Sequence, residues 1–479
     1  MATFVPLAGF VPDADPTTPG VLTACDGWVP STKGMRAANS AYDTGKDALA
    51  AACCGLYTSR YSDGTNKLYA GTSSDLYELS GTSWTSRKGS ITVSATSYWR
   101  WATLGNDTYA SNIYNKVAKA STTTFATITE APKAALLTTA LGFLIAANYD
   151  DGTVTPDGVY WSAQYDTSDW TPDVATRCGA LRLTSTPGPI TALRTLNDQV
   201  IAYKERSMYV GSDTGGEQLW LYRLASADVG AVSQEAVVDV EYAHFFLGYD
   251  NFYAFDGNVP VAIGAGIKEW FFGQVDRTNI GKTQGLYDRD RGVIYWFYPA
   301  SGSSALTKWV AYHLGNKRWG AGSMAVEWVA ETLTVGGTWD TLYTGTWDAL
   351  MSGSSWDASS FASSLPFPTV INTSHKLCYL SGLPGTATFT TGRIGDEEQV
   401  ALLRRISPRW TTRPGNATLV NLYAMVAGDP MSSDPPRTMT SSGWFDLLRA
   451  SRWHAAQLTT TGTAELVGIS VDAVPQGRL

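Results

Sequence analysis

The sequence is poor in charged residues and in cysteine. Of its 479 residues, 16% are Asp, Glu, Lys or Arg, and the net charge is −8; ordinary soluble proteins carry about 25% charged residues. Because tight nucleic-acid binding requires a basic contact surface, this balance argues against a protein that grips DNA, but not against a surface that DNA slides past. The five cysteines, two of them adjacent, form neither a disulfide framework nor a CxxC zinc pattern. We therefore expect free thiols in a reducing compartment.

Long apolar runs and targeting signals are also lacking. The most apolar stretch, residues 134–147, is interrupted by Thr138, Thr139 and Gly142 and is too short to span a bilayer. The N-terminal residues have no basic region followed by an apolar core, so they do not read as a signal peptide. We expect a protein that is made in the cytoplasm and has no membrane anchor.

Signatures of catalysis and of metal binding are missing as well. The four histidines stand far apart without an HExxH pair, and there is neither a GxSxG elbow nor a Walker loop. The acidic residues at 150–157 lack the oxygen spacing of a calcium loop, and the alternating charges of residues 288–291 are typical of a solvated hairpin tip. The sequence predicts that the protein is not an enzyme and has no catalytic residue, cofactor or metal site.

Alternating apolar residues and turn signals are abundant. Residues 190–211 read ITALRTLNDQVIAYKERSMYVG, in which polar turns at 196–199 and 204–207 separate three apolar segments. Alternation with a period of two, bounded by Asn, Asp and Gly, predicts an antiparallel meander. Asp63-Gly64 lies between two similar segments, and this dipeptide is a strong hairpin signal.

The same pattern recurs along the chain. Comparable central strands begin near seven positions, most of them about 40 to 55 residues apart and the last about twice as far: Leu68, Asp107, Phe143, Val200, Phe245, Val293 and Lys376. A period of about 40 to 50 residues with several short strands is typical of propeller blades, whose closed ring removes exposed sheet edges. We predict an all-β protein with a β-propeller of six or seven blades over residues 51–384. Residues 1–50 are predicted to be an extended segment that contributes to the propeller or to an interface.

Three Trp-Asp pairs follow one another at intervals of eight and nine residues: Trp339 with Asp340, Trp347 with Asp348, and Trp356 with Asp357. These intervals are far shorter than a blade, so the pairs are not the ends of WD repeats. We interpret them as structural turns in which each Asp accepts hydrogen bonds from turn amides. The alternative interpretation is an aromatic comb that binds a ligand.

The composition changes near residue 385. Residues 385–479 contain nine Arg, no Lys and eight acidic residues. Short strand patterns separated by Pro, Gly and Asn turns predict a separate β-sandwich-like domain there. Arginine without lysine suits planar, bidentate pairing at protein interfaces. We predict that Arg404, Arg405 and Arg409 contact a neighbouring subunit.

Several of these segments together resemble a known family. They are TALRTLNDQVIAYKERSMYVG, HFFLGYDNFYAFDGNVPVAIG, the Trp-Asp turns, the final ELVGISVDAVPQGRL and the early PDADPTTPGVLTACDGWVPSTKG. They are similar to the nozzle proteins of short-tailed bacteriophages (podophages), also called tail-tube B or DNA-stabilisation proteins. That family is built on a β-propeller, in agreement with the repeated meanders.

The resemblance implies a structural protein of the virion tail. Six copies would form a ring below the portal and the adaptor, retain the packaged DNA and conduct it during ejection. The implied partners are further copies of the chain in a homohexamer, the adaptor (tail-tube A) protein, tail fibre, spike or needle proteins, and genomic DNA that passes without sequence-specific binding. The alternatives are another phage neck or tail adaptor, or a carbohydrate-binding or glycan-degrading propeller, which would need paired carboxylates or an aromatic platform.

Overall fold

The computed structural model describes residues 2–89, 91, 98–121, 123–215, 220–333 and 366–478. Within these ranges the chain is almost entirely β-strand, and the predicted all-β class is confirmed. One α-helix, α1 (Lys268–Gln274), and one short 3-10 helix (Ile280–Lys282) are present in the described part. None of the described helices has the length and hydropathy needed to cross a bilayer.

The chain begins with six short strands. They are β1 (Ala2–Pro6), β2 (Gly9–Phe10), β3 (Val21–Asp26), β4 (Trp28–Pro30), β5 (Met35–Ala37) and β6 (Ser40–Asp43). All of them pair with strands that come more than 280 residues later in the chain, either directly or through a neighbouring strand.

Five four-stranded antiparallel meanders follow, and each is one propeller blade. Blade 1 contains β7 (Cys53–Arg60), β8 (Asn66–Thr72), β9 (Leu76–Ser80) and β10 (Ser83–Ser86), and blade 2 contains β11 (Arg100–Leu104), β12 (Asp107–Asn112), β13 (Asn115–Ala120) and β14 (Phe125–Thr127). Blade 3 contains β15 (Lys133–Ala140), β16 (Phe143–Asp150), β17 (Val154–Trp161) and β18 (Gly179–Arg182), and blade 4 contains β19 (Ile190–Leu196), β20 (Gln199–Lys204), β21 (Met208–Asp213) and β22 (Trp220–Ser226). Blade 5 contains β23 (Val237–Asp239), β24 (His244–Leu247), β25 (Phe252–Phe255) and β26 (Val261–Ala262).

The meander predicted for residues 190–211 is confirmed as the first three strands of blade 4. Asn197 and Asp198 both have positive φ, at 47° and 63°, and link β19 to β20 as a two-residue hairpin turn. Two positive φ values match the right-handed twist of the flanking strands, and Asn and Asp tolerate them better than most residues.

Blades 6 and 7 share one long strand. Blade 6 contains β27 (Gln284–Asp288), β28 (Val293–Pro299), β29 (Leu306–His313) and the first part of β30 (Trp319–Leu333); blade 7 contains the later part of β30, then β31 (Pro366–Asn372), β32 (Leu377–Gly382) and β6. β30 pairs with β29 up to Val326 and with β31 from Val326 onward. The N-terminal strand β6 pairs with β32 and so completes blade 7 as its outer strand.

The seven blades close into a ring. The first strand of each blade contacts the first strand of the next, in the order β7, β11, β15, β19, β23, β27 and β30, and β30 returns to contact β7. The first strands therefore surround the axis, and the last strands lie at the periphery. The predicted propeller is confirmed with seven blades.

The remaining strands build a two-layer sandwich. They are β33 (Thr386–Thr391), β34 (Ile394–Gly395), β35 (Gln399–Thr412), β36 (Asn416–Ala424), β37 (Ser432–Ser433), β38 (Arg437–Thr438), β39 (Phe445–Ser451), β40 (Trp453–Thr461) and β41 (Glu465–Arg478). One layer has the order β2-β3-β33-β40-β36-β37, and the other has β4-β5-β41-β35-β39 with β1 on β41. The sandwich is thus larger than the predicted 385–479, because residues 2–37 supply five of its strands.

The sandwich and the propeller share a hydrophobic core. Leu419 and Leu458 of one layer face Leu403 and Ile469 of the other, and the same buried cluster continues to Trp296 in blade 6. Apolar burial of this extent is the main stabilising contribution to a fold. We infer that the two parts are packed as one body rather than joined by a flexible linker.

Candidate functional site

The three arginines that the sequence singled out all lie on β35, at the surface of the sandwich. Arg405 Nε donates a hydrogen bond to Asp446 Oδ1 at 3.0 Å, and its guanidinium lies 4.3 Å above the centroid of the Trp444 ring. Arg409 lies 4.2 Å above the ring centroid of Phe4. These contacts are intramolecular, and they hold two guanidinium groups in fixed positions on the surface.

Arg404 and Arg409 are exposed, and Arg405 is half-buried. Arg404 lies at an irregularity in the pairing of β35 with β39, between the pairs Leu403–Arg449 and Arg405–Asp446. Leu448, on the facing segment of β39, is 81% exposed. We call this surface, with Arg404, Arg405, Arg409 and Leu448, the arginine face. Exposed arginine beside aromatic and aliphatic groups is the composition enriched at protein–protein interfaces.

Other arginines of the sandwich are engaged within the chain. Arg413 donates to the carbonyl oxygens of Thr440 and Ser441, both at 2.9 Å. Arg449 pairs with Asp434 and lies over the ring of Tyr423. The high arginine content of residues 385–479 therefore reflects internal pairing as well as exposed surface.

The predicted Trp-Asp turns at 339–357 lie outside the described residues.

A second candidate site lies on the propeller axis. The first strands of six blades line a cavity of about 290 Å³, here called the axial cavity. Its charged lining residues are Arg60, Arg100, Arg194, Glu235, Asp239, Arg289 and Glu331. Its volume is at the lower edge of the ~300–1,000 Å³ typical of small-molecule sites.

The middle of the axial cavity is occupied by two arginines and one glutamate. Arg100 Nη1 lies 2.7 Å from Glu235 Oε1, and the two side chains are only 12% and 11% exposed. Arg194 Nη2 donates to the carbonyl oxygen of Gln234 at 3.0 Å. Burial lowers the pKa of Arg100; the Glu235 carboxylate acts against this shift, whereas the charge of Arg194 adds to it. One carboxylate thus faces two cationic groups.

One end of the axial cavity holds a second charged group. Arg289 pairs with Glu331, at 3.1 Å, and with Glu241. Burial raises the pKa of Glu331, and Arg289 opposes that shift. Asp288 is only 2% exposed and accepts a hydrogen bond from Arg291 at 3.0 Å. The expectation of a solvated tip holds for Asp290 and Arg291, which are exposed. It was wrong for Asp288, which is buried, and for Arg289, because ring closure brings β30 and the loop after β23 against it.

Sequence analysis did not single out the axial arginines. Arg100 stands in the Trp-rich segment 98–101, and Arg194 is a polar residue inside β19, where alternation alone assigns it to one face of the sheet. In a propeller the first strand of each blade lines the axis. Arginines on the first strands of two blades, Arg100 on β11 and Arg194 on β19, are therefore the signal that could have located the cavity.

The four histidines do not come together. His244 is buried; its Nδ1 lies 2.8 Å from Tyr203 Oη and its Nε2 lies 3.3 Å from the carbonyl oxygen of Thr195. His375 pairs with Glu327 at 2.8 Å. In the part of the chain that the structure describes, no group of three or more His, Cys, Asp or Glu is arranged to hold a metal ion.

Comparison with known proteins yields only distant structural similarity. No protein-family model and no curated protein sequence matches the chain. Among solved structures, YCF48 bound to D1 peptide aligns with a TM-score of 0.36 and 11% identity over 61% of this chain and 86% of that one. A Bacteroides fragilis NCTC 9343 protein assigned as a 6-phosphogluconolactonase aligns with a TM-score of 0.36 and 10% identity over 71% of this chain and 89% of that one.

Proposed function

We propose that this chain is the nozzle subunit of a short-tailed phage, a structural and non-enzymatic protein of the virion tail. In this proposal six copies form a ring that continues the DNA channel below the portal and the adaptor. The ring retains packaged DNA, conducts it during ejection, and contacts the adaptor and the tail fibre, spike or needle proteins. The proposal rests on the sequence resemblance, which requires a propeller whose outer surfaces are built for assembly.

The arginine face is the structural observation that supports this proposal best. The guanidinium groups of Arg405 and Arg409 are held in place by Asp446, Trp444 and Phe4, so these two side chains have little freedom left to lose when a partner binds. Leu448, on the neighbouring strand β39, adds exposed apolar surface near Arg404. Pre-positioned arginine with apolar neighbours is typical of residues that dominate binding energy.

The propeller axis does not serve as the DNA channel in this proposal. Arg100, Arg194 and Glu235 fill it, and the space that remains, about 290 Å³, is the size of a small-molecule site. DNA would instead pass between copies, along the symmetry axis of the ring. The net charge of −8 on each chain suits a wall that repels phosphates and lets a duplex slide.

The first test is the mass of the purified protein in solution, measured by sedimentation together with negative-stain imaging. We expect rings of six chains, either alone or on addition of the adaptor encoded beside it. A protein that remains monomeric under both conditions and releases reducing sugars from polysaccharides would instead support the glycan-degrading alternative.

The second test addresses the arginine face. Arg404→Ala, Arg405→Ala and Arg409→Ala should each weaken ring formation by about tenfold or more, as for residues that dominate an interface. Each should change the stability of the isolated chain by only about 0–1 kcal/mol, because exposed ion pairs contribute little. Arg206→Ala, at an exposed turn of blade 4, is the matched control. Unaltered assembly of all three variants would remove the arginine face from the interface.

A further inference from the structure

Among the charged groups in the middle of the axial cavity, unpaired hydrogen-bond donors outnumber unpaired acceptors. Arg100 Nε, Arg100 Nη1 and Arg194 Nε are buried without a hydrogen-bond partner among the described residues, and so is one acceptor, Glu235 Oε2. The Arg100–Glu235 pair is close but poorly aligned for a hydrogen bond. Buried polar groups in proteins are nearly always paired, and each unpaired group needs an explanation.

The charge of the same groups is also out of balance. Two guanidinium groups, on Arg100 and Arg194, share one largely buried carboxylate, that of Glu235, whereas the lining carboxylate of Asp239 is exposed to solvent. The carboxylates of Glu331 and Glu241 do not neutralise this pair of cations, because both are already paired with Arg289. An uncompensated buried charge is strongly unfavourable unless a partner neutralises it. An anion is the partner that would satisfy both the donors and the charge.

We propose that the axial cavity binds a small oxyanion of the phosphate class between Arg100 and Arg194. Guanidinium groups present their donors as a planar fork that matches the oxygens of a phosphate group, and such charge-assisted hydrogen bonds are the strong ones. The cavity, at about 290 Å³, admits an inorganic phosphate or a small phosphomonoester and no polymer. This inference is independent of the nozzle proposal, because every lining residue comes from one chain.

The test uses the full-length protein and inorganic phosphate, with binding followed by isothermal titration calorimetry in a buffer free of other oxyanions. We expect one phosphate per chain. Arg194→Gln removes a charge and a fork of donors and should weaken binding by about tenfold or more. Arg206→Gln, an exposed arginine on the turn between β20 and β21, should leave the affinity unchanged. Thermal melting of each variant checks that the fold is retained.

A variant with the opposite sign keeps the test independent of misfolding. Glu235→Gln removes the carboxylate that is paired with Arg100 and should strengthen phosphate binding severalfold, a result that a damaged fold cannot produce. A titration with glycerol 3-phosphate distinguishes the two sources of the ligand: tighter binding than phosphate indicates a phosphomonoester, and weaker binding indicates the free ion. The proposal is overturned if phosphate does not bind at millimolar concentration, or if it binds wild type, Arg194→Gln and Glu235→Gln equally.

Discussion

Trp28 lies where the sandwich meets the propeller, and its replacement tests whether the two parts form one cooperative unit. It is fully buried, pairs with Ala37 on β5 and with Ala321 on β30, and packs edge-on against Phe389 with ring centroids 5.2 Å apart. Its indole Nε1 has no hydrogen-bond partner among the described residues. The side chain therefore contributes through apolar packing and not through its polar atom.

Two replacements separate these contributions. Trp28→Ala leaves a large cavity and should lower the free energy of unfolding by about 3–5 kcal/mol. Trp28→Phe loses about 1 kcal/mol of apolar burial. It also removes an unpaired buried N–H whose desolvation costs about 1–3 kcal/mol. We expect the phenylalanine variant to be close to wild type.

Calorimetry gives the size of the effect. Unfolding entropy is about 2 cal/mol/K per residue, so the 479-residue chain unfolding as one unit would lose about 3–5 °C in Tm with Trp28→Ala. If the sandwich, of roughly 130 residues, unfolded alone, the same loss would lower its transition by more than about 10 °C. A separate sandwich transition would refute the single shared core. Equal destabilisation by Phe and Ala would refute the assignment to packing alone.

Three other predictions concern single residues, two at buried positions in the blades and one on helix α1. Burial lowers the pKa of His244 to about 4. The unfolded chain therefore binds this proton first, and stability should fall by up to about 3 kcal/mol as the pH drops from about 6.5 to about 4; denaturant titrations at several pH values should show a flatter dependence for His244→Gln. A Cβ on Gly71 would lie 2.2 Å from Trp99 Cδ1, so Gly71→Ala should destabilise by about 1–3 kcal/mol. Gly273→Ala, in open space on α1, should instead stabilise by about 0.5–1 kcal/mol, and thermal melting that gave both changes the same sign would contradict the packing argument.

Local patterns predicted the blades well because each blade is formed by neighbours in sequence. Six of the seven positions at which central strands were expected fall at or within two residues of the start of the second strand of a blade, from β8 to β28. The seventh, Lys376, lies instead just before the third strand of blade 7. The reason is that residues 334–365, which lie outside the described part of the chain, separate β30 from β31, so the second strand of blade 7 begins much later than the regular spacing predicts.

Long-range pairing could not be predicted in this way. Residues 2–6 pair with residues 468–472, and β6 pairs with β32. No periodicity within a window of ten or twenty residues carries that information, because strand alternation specifies which face is buried and not which strand lies beside it. The axial arginines were missed for the same reason: Arg100 and Arg194 are 94 positions apart and share a cavity only after the ring has closed.

The position of the chain ends has a consequence for assembly. β41 pairs with β1, β5 and β35, so the second layer of the sandwich cannot form before the last strand has been synthesised. Until then Met35, which is fully buried in the folded chain and pairs with Leu466 of β41, lacks part of its core. Contacts this distant in sequence form late and slowly. The arginine face lies on β35, in the middle of this late layer, so a chain would acquire the surface proposed for assembly only after β41 has been synthesised.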